Sequence, residues 1–290
     1  MSRLRIASAA LATAVVAGLI AGAVPTSALG ISPVPPLMDW ASVDQVSAQG
    51  RAGGQALARD SLGNVYVTGV YSGSLTIDGT RVTSQRGTET FIAKYDQFGS
   101  LKWLLSSSGD GSSSPTAIAV TPVTGEVVVV GTLSGTEVFG NVQIAAGDAA
   151  DSYVVRLDGT GTPTWGQVIA GTGTDVALGV AIADDLGAFT PDRVFVGGRF
   201  DGTLTLGQQT VTSAGSTDAF LWALDLPDGK SRLGQRWGGT GADGARAVNV
   251  LGGDVVLATG YFEGRGVFGS VVKTAAGIRD MFVARIPAAL

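Results

Sequence analysis

The chain has 290 residues, 44 of them glycine, a formal net charge of −5, and neither histidine nor cysteine. The two missing residue types exclude Ser-His-Asp and Cys-His catalysis, disulfide bonds, and metal sites that need His or Cys ligands. A mildly acidic chain is also a poor partner for a phosphate backbone, so we expect no nucleic-acid binding.

The N-terminus has the pattern of a secretory signal peptide. Arg3 and Arg5 precede an apolar run over residues 6–24, and a small-residue site ends at Ala28. A basic start, an apolar middle and a small-x-small end are typical of a cleaved export signal. We predict a signal peptide over residues 1–28, a secreted or extracytoplasmic protein, and no membrane span after cleavage. The alternative is an uncleaved anchor, for which the apolar run is short.

A proline-rich segment separates this signal from the rest of the chain. Residues 29–37 contain Pro33, Pro35 and Pro36, and they predict a stiff tether. The remaining residues, 38–290, are expected to form one repeat domain.

The repeat domain shows the same pattern four times. A column of Gly-x-(Tyr/Leu/Phe)-x-Gly and a later column of aromatic residues both advance by 62, 67 and 62 residues. The glycine column begins at Gly69, Gly131, Gly198 and Gly260, and the aromatic residues are Phe91, Tyr153, Phe220 and Phe282. A period near 60 predicts a supersecondary unit that is used four times.

Each repeat predicts short strands that we name A to D in chain order. Strand A is short and apolar. Strand B is rich in β-branched residues, as in residues 126–131, and we expect it to be buried on both faces. After an excursion, strand C begins at the aromatic residue, and a turn opened by Asp leads to strand D. Strand D carries tryptophan at Trp103, Trp165 and Trp237. These rings could stack on sugars, but we expect them to pack between repeats.

The two ends of the repeat domain complement each other. Trp40 precedes the first A strand, and the last repeat stops after its C strand at Phe282. In a circular array the N-terminal strand completes the last blade and removes both exposed sheet edges. We therefore predict an all-β fold, a β-propeller of four blades, closed by pairing of the Trp40 strand with the last blade. The alternative is an open solenoid.

Several segments resemble the bacterial β-propeller repeats named SBBP. The resemblance is carried by residues 56–69 (ALARDSLGNVYVTG), 218–220 (DAF) and 237–243 (WGGTGAD), and it extends over about residues 37–290. The family's name refers to seven blades, whereas this chain has four repeats. The resemblance implies a secreted or surface protein, and it transfers no catalytic residue.

Acidic residues recur on one predicted rim of the array. One stands two positions before each aromatic residue of strand C, and others end Gly-x-Gly-x-Asp links between strands D and A. The candidates are Glu89, Asp151, Asp218, Asp280, Asp175 and Asp243. They are either oxygen ligands for Ca²⁺ or acceptors of backbone N–H groups in turns, and the second interpretation is favoured. We expect no other cofactor.

The third repeat departs from the others. Its A-to-B turn is long, residues 184–193, and Phe220 is separated from Trp237 by 17 residues where the other repeats have 12. Both insertions are expected on the rim opposite the acidic residues, as a patch for a protein or glycan partner. The candidates are Phe189, Arg193, Trp222, Lys230, Arg232 and Arg236. The alternative is tolerated loop variation.

These patterns predict an exported, non-catalytic binding or structural module at the cell envelope or outside the cell. One alternative is an extracytoplasmic glycan hydrolase that uses Asp carboxylates; it would show a deep axial pocket with unpaired carboxylates. The other is a self-assembling surface protein, which would show an open array or a large apolar face.

Overall fold

A computed structural model describes residues 43–46, 50–147, 151–184, 192–251 and 255–287, the first of these ranges by its backbone alone. This part of the chain is all β, with 24 strands and no helix. It accordingly offers no helical segment with the length and apolarity that membrane crossing requires. The predicted signal peptide, the tether, Trp40 and Phe189 lie outside the described residues.

The strands follow the predicted repeat, with a hairpin of two short strands where an excursion was expected. Strand β1 (Val43–Val46) comes before the first repeat. The A strands are β2 (Arg51–Arg59), β8 (Ser112–Val120), β14 (Asp175–Ala183) and β20 (Gly244–Leu251). The B strands are β3 (Val65–Ser72), β9 (Val127–Ser134), β15 (Arg193–Phe200) and β21 (Val255–Phe262). The hairpins are β4–β5 (Ser74–Ile77, Thr80–Thr83), β10–β11 (Thr136–Phe139, Val142–Ala145), β16–β17 (Thr203–Leu206, Gln209–Thr212) and β22–β23 (Arg265–Phe268, Val271–Thr274). The C strands are β6 (Glu89–Tyr95), β12 (Asp151–Leu157), β18 (Asp218–Asp225) and β24 (Asp280–Pro287), and the D strands are β7 (Leu101–Gly109), β13 (Pro163–Gly171) and β19 (Ser231–Gly239).

The hairpin of each repeat joins the sheet of the preceding repeat. Three six-stranded sheets have the orders β11-β10-β7-β6-β3-β2, β17-β16-β13-β12-β9-β8 and β23-β22-β19-β18-β15-β14. Each therefore contains strands A to D of one repeat and the hairpin of the next repeat beside strand D. The hairpin covers the edge that strand D would otherwise expose. Two three-stranded sheets remain, β1-β4-β5 and β20-β21-β24.

Both glycines of the repeated Gly-x-(Tyr/Leu/Phe)-x-Gly column have a steric role. A Cβ on Gly131 would lie 2.3 Å from the carbonyl oxygen of Ser114 and 2.8 Å from the Tyr153 ring. The first glycine therefore lets strand A and the aromatic residue of strand C approach strand B closely. The second glycine opens the hairpin with a positive φ, 65° at Gly135. Such a φ strains any residue with a side chain.

The core lies between consecutive sheets. Val127 and Val129 of the second sheet pack with Tyr66 and Ile92 of the first. Similar clusters join the second sheet to the third and the third to the fourth. A run of valines in β9 is buried on both faces because a sheet covers each side. The predicted burial of the B strands is thereby confirmed for this repeat.

Two tryptophans occupy one structural row, and the third does not. Trp103 lies opposite Lys94, and Trp165 lies opposite Arg156. In the third repeat Leu233 holds this row, and Trp237 lies near the other end of β19. The turn between strands C and D of the third repeat is therefore one residue longer than the others, and the larger insertion expected from the sequence is wrong.

The array is open at both ends in the described residues. Strand β24 pairs only with β21, and β1 pairs only with β4. Consecutive A strands pack against each other from β2 to β20, and no comparable packing joins β20 to β2. Leu57 of β2 is accordingly 64% exposed, whereas Ile118, in the same row of β8, is 8% exposed. The predicted ring closure is not observed.

Candidate functional site

Each residue of the acidic column ends a turn by accepting a backbone hydrogen bond. In all four repeats the carboxylate accepts the N–H of the residue four positions earlier. The donors are Gln85 for Glu89 (2.7 Å), Gly147 for Asp151 (2.5 Å), Ala214 for Asp218, and Ala276 for Asp280 (2.8 Å). Among the described residues there is no group of three or more acidic side chains that could hold a metal ion. The geometry thus favours the turn interpretation, and Ca²⁺ binding stays the untested alternative.

The two aspartates of the Gly-x-Gly-x-Asp links are fully buried in different environments. Asp243 accepts the N–H groups of Gly239 (2.6 Å) and Glu263 (3.0 Å). Neither carboxylate oxygen of Asp175 has a hydrogen-bond partner among the described residues. Burial raises the pKa of Asp175 to about 7, and the neighbouring Asp151 adds to this effect. Asp175 is therefore held partly protonated near neutral pH.

A buried pair of glutamates was not predicted from the sequence. Glu137 lies on β10 in a row that other repeats fill with Leu75, Leu204 or Gly266, and it is fully buried. It accepts a hydrogen bond from the Ser113 hydroxyl at 3.0 Å. Burial raises the pKa of Glu137, and nearby Glu89 raises it further. Both carboxylates are shielded from solvent. The one signal in the sequence was a glutamate in an otherwise apolar row.

The residues singled out in the third repeat do not form one patch. Trp222 is 1% exposed and packs in the core, where its indole N–H donates to the Ser231 hydroxyl at 2.8 Å. Arg193 is buried at the start of β15. Arg236 lies at the acidic rim, where its guanidinium contacts Asp218 at 3.2 Å. The prediction that Arg236 joins the opposite rim is therefore wrong.

Three of these residues line one cavity of about 400 Å³. Lys230, Arg232 and Trp222 surround it together with Gln167 and Gln209. Arg232 is also held by Asp225, to which its Nε donates at 2.7 Å. The first repeat has an equivalent ion pair between Lys102 and Asp96, at 3.7 Å. The ion pair in this cavity wall therefore occurs in another repeat as well and is not specific to the third.

A larger cavity lies along the free edge of β24. It has a volume of about 670 Å³, and we call it the β24 cleft. Its wall is mainly apolar and includes Trp237, Phe268, Phe282, Met281 and Val283. The hairpin β22–β23 forms the opposite wall through residues 268–274.

The β24 cleft lies where the other sheets hold a D strand. In the second and third repeats the D strand packs over the second hairpin strand of the same repeat, β13 over β11 and β19 over β17. The fourth repeat has the corresponding hairpin and C strand, but its sheet has no strand beyond β24 in the described residues. Met281 and Val283 are consequently 70% and 65% exposed. The cleft can therefore receive one extended strand.

The two cavities differ in chemistry. The cavity beside Trp222 is lined by amides and cations, whereas the β24 cleft is apolar and borders an unpaired backbone edge. Comparison with known proteins adds no further site residue. A scan against protein-family models finds no match to this chain, and a search of curated proteins finds no similar sequence.

Proposed function

We propose that the protein is an exported, non-catalytic β-propeller that serves as a binding or structural module at the cell envelope or outside the cell. Export is supported by the basic, apolar and small-residue pattern of residues 1–28. A propeller is supported by face-to-face stacking of antiparallel sheets whose A strands follow one another side by side. In this proposal β20, β21 and β24 are three strands of a fourth blade, and an outer strand such as β1 completes the blade by adding to the free edge of β24.

The observation that carries the binding role is the β24 cleft. An unpaired strand edge next to an apolar wall can hold an extended polypeptide through backbone hydrogen bonds, with pockets for alternate side chains. The prominent repeated residues are already engaged in the fold: glycines in close contacts and acids in turns. The partner favoured by this site is therefore a protein segment.

A second candidate, self-assembly at a surface, is favoured by the open array. Apolar side chains are exposed on both terminal sheets, Leu57 at one end and Val283 at the other. In the interior of the array the equivalent faces are buried between sheets. Exposed complementary ends are what an assembling repeat protein requires.

The export part can be tested by expressing the full chain in a bacterial host and sequencing the N-terminus of the protein recovered outside the cytoplasm. Because the small-residue site ends at Ala28, we expect the recovered chain to begin at Leu29. Recovery of an intact chain, residue 1 onwards, from the cytoplasm alone would contradict export.

The binding part can be tested by selecting a random peptide library on the immobilised protein. We expect apolar, extended peptides to be enriched and their binding to be lost in Val283→Arg. Leu62→Arg is the matched control, because Leu62 is equally exposed, at 65%, but lies in a turn of the first repeat. Equal loss in both variants, or enrichment that is unaffected by Val283→Arg, would argue against the cleft.

A further inference from the structure

Each of the two three-stranded sheets contains the strands that the other would need to match the six-stranded sheets. In the complete sheets strand D is bonded on both edges, as β7 is to β6 and β10. Strand β1 is bonded like a D strand to the hairpin β4–β5, and its other edge is free in the described residues. Strand β24 is bonded like a C strand to β21, and its other edge is free in the same part of the chain. Joining them gives the order β5-β4-β1-β24-β21-β20, which matches the other three sheets.

The register of β1 indicates, to within a residue, how the two strands would meet, because the pairing with β4 is irregular between Val43 and Gln45. Val43 lies opposite Ile77 on β4, as Ser107 of the first D strand lies opposite Phe139 on β10. In the next two D strands this row holds Ile169, opposite Ser152, and Trp237, opposite Ala219. The residue of β24 in the row of Ser152 and Ala219 is Met281. Val43 should therefore face Met281 across the new strand pair.

The charges on the two sides are partly complementary in this register. Residues 38–50 contain Asp39 and Asp44 and no basic residue. Lys273 and Arg285 border the β24 cleft. With Val43 opposite Met281, antiparallel pairing puts Asp39 opposite Arg285, a favourable cross-strand pair. The same pairing puts Asp44 opposite Asp280, which also borders the cleft, and that pair is unfavourable.

Within the described residues of one molecule, β1 and β24 are not paired with each other. All three interfaces between consecutive sheets are formed and buried. Even so, β20 does not pack against β2, and Leu57, Met281 and Val283 stay exposed. Three complete interfaces therefore leave the two ends of one chain unjoined.

We propose that β1 of one copy adds to the free edge of β24 of a second copy, fills the β24 cleft, and joins the chains head to tail. This inference rests on the proposed β-propeller, in which β1 is an outer blade strand. Repeated head-to-tail contacts give a ring if the rotation between successive copies brings the last copy back to the first, and a filament if it does not. A ring of two copies would contain twice the four blades of one chain, which is within the range of about 4–8 blades known for propellers.

Cysteine cross-linking tests this pairing cleanly because the natural chain has no cysteine. Val43→Cys and Met281→Cys would be introduced into separate full-length chains, mixed and oxidised. We expect a disulfide-linked heterodimer about tenfold above the control mixture, because pairing raises the effective concentration of the two thiols. The control pairs Val43→Cys with Ile278→Cys, which is 90% exposed and lies outside the cleft. Met281 is 70% exposed, so its substitution leaves the core intact.

The double variant Val43→Cys with Met281→Cys separates the remaining outcomes. A cross-linked monomer would overturn assembly between copies but would leave the propeller standing, because β1 would then close its own chain. Absence of any link in both the mixture and the double variant would overturn the blade completion itself. By light scattering we expect the unmodified chain to form dimers or larger species that Val283→Arg dissociates, and a monomer at all concentrations would contradict the inference.

Discussion

Asp175 shows how burial changes the chemistry of a single residue. It is fully buried without a hydrogen-bond partner among the described residues, and its pKa is raised to about 7. An unfolded aspartate has a pKa of about 4. Between these values the folded state binds the proton more tightly, so the stability contributed by this proton falls as pH rises from about 4 to about 7.

Replacing Asp175 with Asn should remove this pH dependence. We expect Asp175→Asn to be more stable than the natural chain at pH 8, by on the order of 2 kcal/mol, with little difference at pH 4. Urea denaturation at pH 4 to 8 measures the effect. Asp228→Asn is the control, since Asp228 lies exposed in a turn. Parallel pH profiles for the natural chain and Asp175→Asn would contradict the buried carboxyl as the cause.

Gly198 permits a close approach of strands in the third sheet. A Cβ at this position would lie 2.2 Å from the carbonyl oxygen of Val176 and 2.5 Å from the Phe220 ring. Neither neighbour can move without disturbing the ladder, so Gly198→Ala should destabilise the protein by about 3 kcal/mol. Gly53→Ala is the matched control, because Gly53 also lies in a strand, β2, and has open space around it. Denaturant midpoints compare the two, and equal shifts would contradict the steric explanation.

Residue roles that repeat could be predicted from sequence, and those that occur once could not. The aligned spacing of Gly69 to Gly260 and of Glu89 to Asp280 indicated fold positions because the same local geometry recurs. The carboxylate of Glu137 and the isolated Asp175 depend on which strands meet across two sheets. That information is absent from the period of the sequence.

At the scale of elements, the hairpin exchanged between repeats determines which strands depend on one another. Phe139 of β10 is fully buried against Tyr153, at a ring-centroid distance of 5.4 Å. Its hairpin covers β7 of the first repeat.

Truncating Phe139 should therefore loosen a strand of the preceding repeat. We expect Phe139→Ala to cost about 4 kcal/mol and to increase hydrogen exchange over residues 101–109. Phe268→Ala, in the hairpin of the fourth repeat, should instead increase exchange over residues 231–239, since β22 pairs with β19. Exchange measured by mass spectrometry distinguishes them. The same strand responding in both variants would contradict the exchange of hairpins.

The long strands were predictable, but the hairpins and one register were not. Strands such as β9 combine β-branched residues with a repeated position, which is a strong signal. The hairpin strands have only four residues, as in Thr136–Phe139, and that is too short for their alternation to distinguish a strand from a loop. Trp237 suggested the wrong register because a large aromatic side chain fits two rows of strand D. Residue type alone does not determine the register of a strand.

For the whole molecule, assembly through β1 makes stability depend on protein concentration. If the fourth blade is completed by another copy, mass action raises the melting temperature as the concentration rises. Deleting residues 29–47 should lower the melting temperature and abolish its dependence on concentration. Calorimetry over roughly a hundredfold range of protein concentration measures how the melting temperature depends on concentration. Identical behaviour of the deleted and full chains would contradict any role of the N-terminal strand.

Addition of Ca²⁺ tests the acidic rim as a whole. Since the column carboxylates already accept backbone N–H groups, we expect millimolar Ca²⁺ to leave the melting temperature unchanged. A clear rise that chelation reverses would restore the cation site. Mutation of Asp243, which already accepts two N–H groups, would then be the first step in locating it.

Ring closure could be proposed from the sequence but not decided by it. The spare strand at Trp40 and the missing strand after Phe282 are visible in the order of residues. Whether they meet within one chain depends on the rotation between neighbouring sheets. That rotation depends on the side chains at all three interfaces between consecutive sheets, and no single repeated position in the sequence determines it.

The hairpin exchange also bears on how such an array could grow by gene duplication. The segment that repeats in the sequence and the sheet that forms in space are out of phase by one hairpin, since β10–β11 completes the sheet of the repeat before it. A duplicated copy therefore brings the hairpin that covers the D-strand edge of the preceding repeat. The D-strand edge of the new copy stays free until the hairpin of the next repeat covers it. Each insertion or loss of a whole copy keeps every internal joint intact. Lineages could thus change the number of copies without redesigning any joint, and only the two outermost edges would need a new solution.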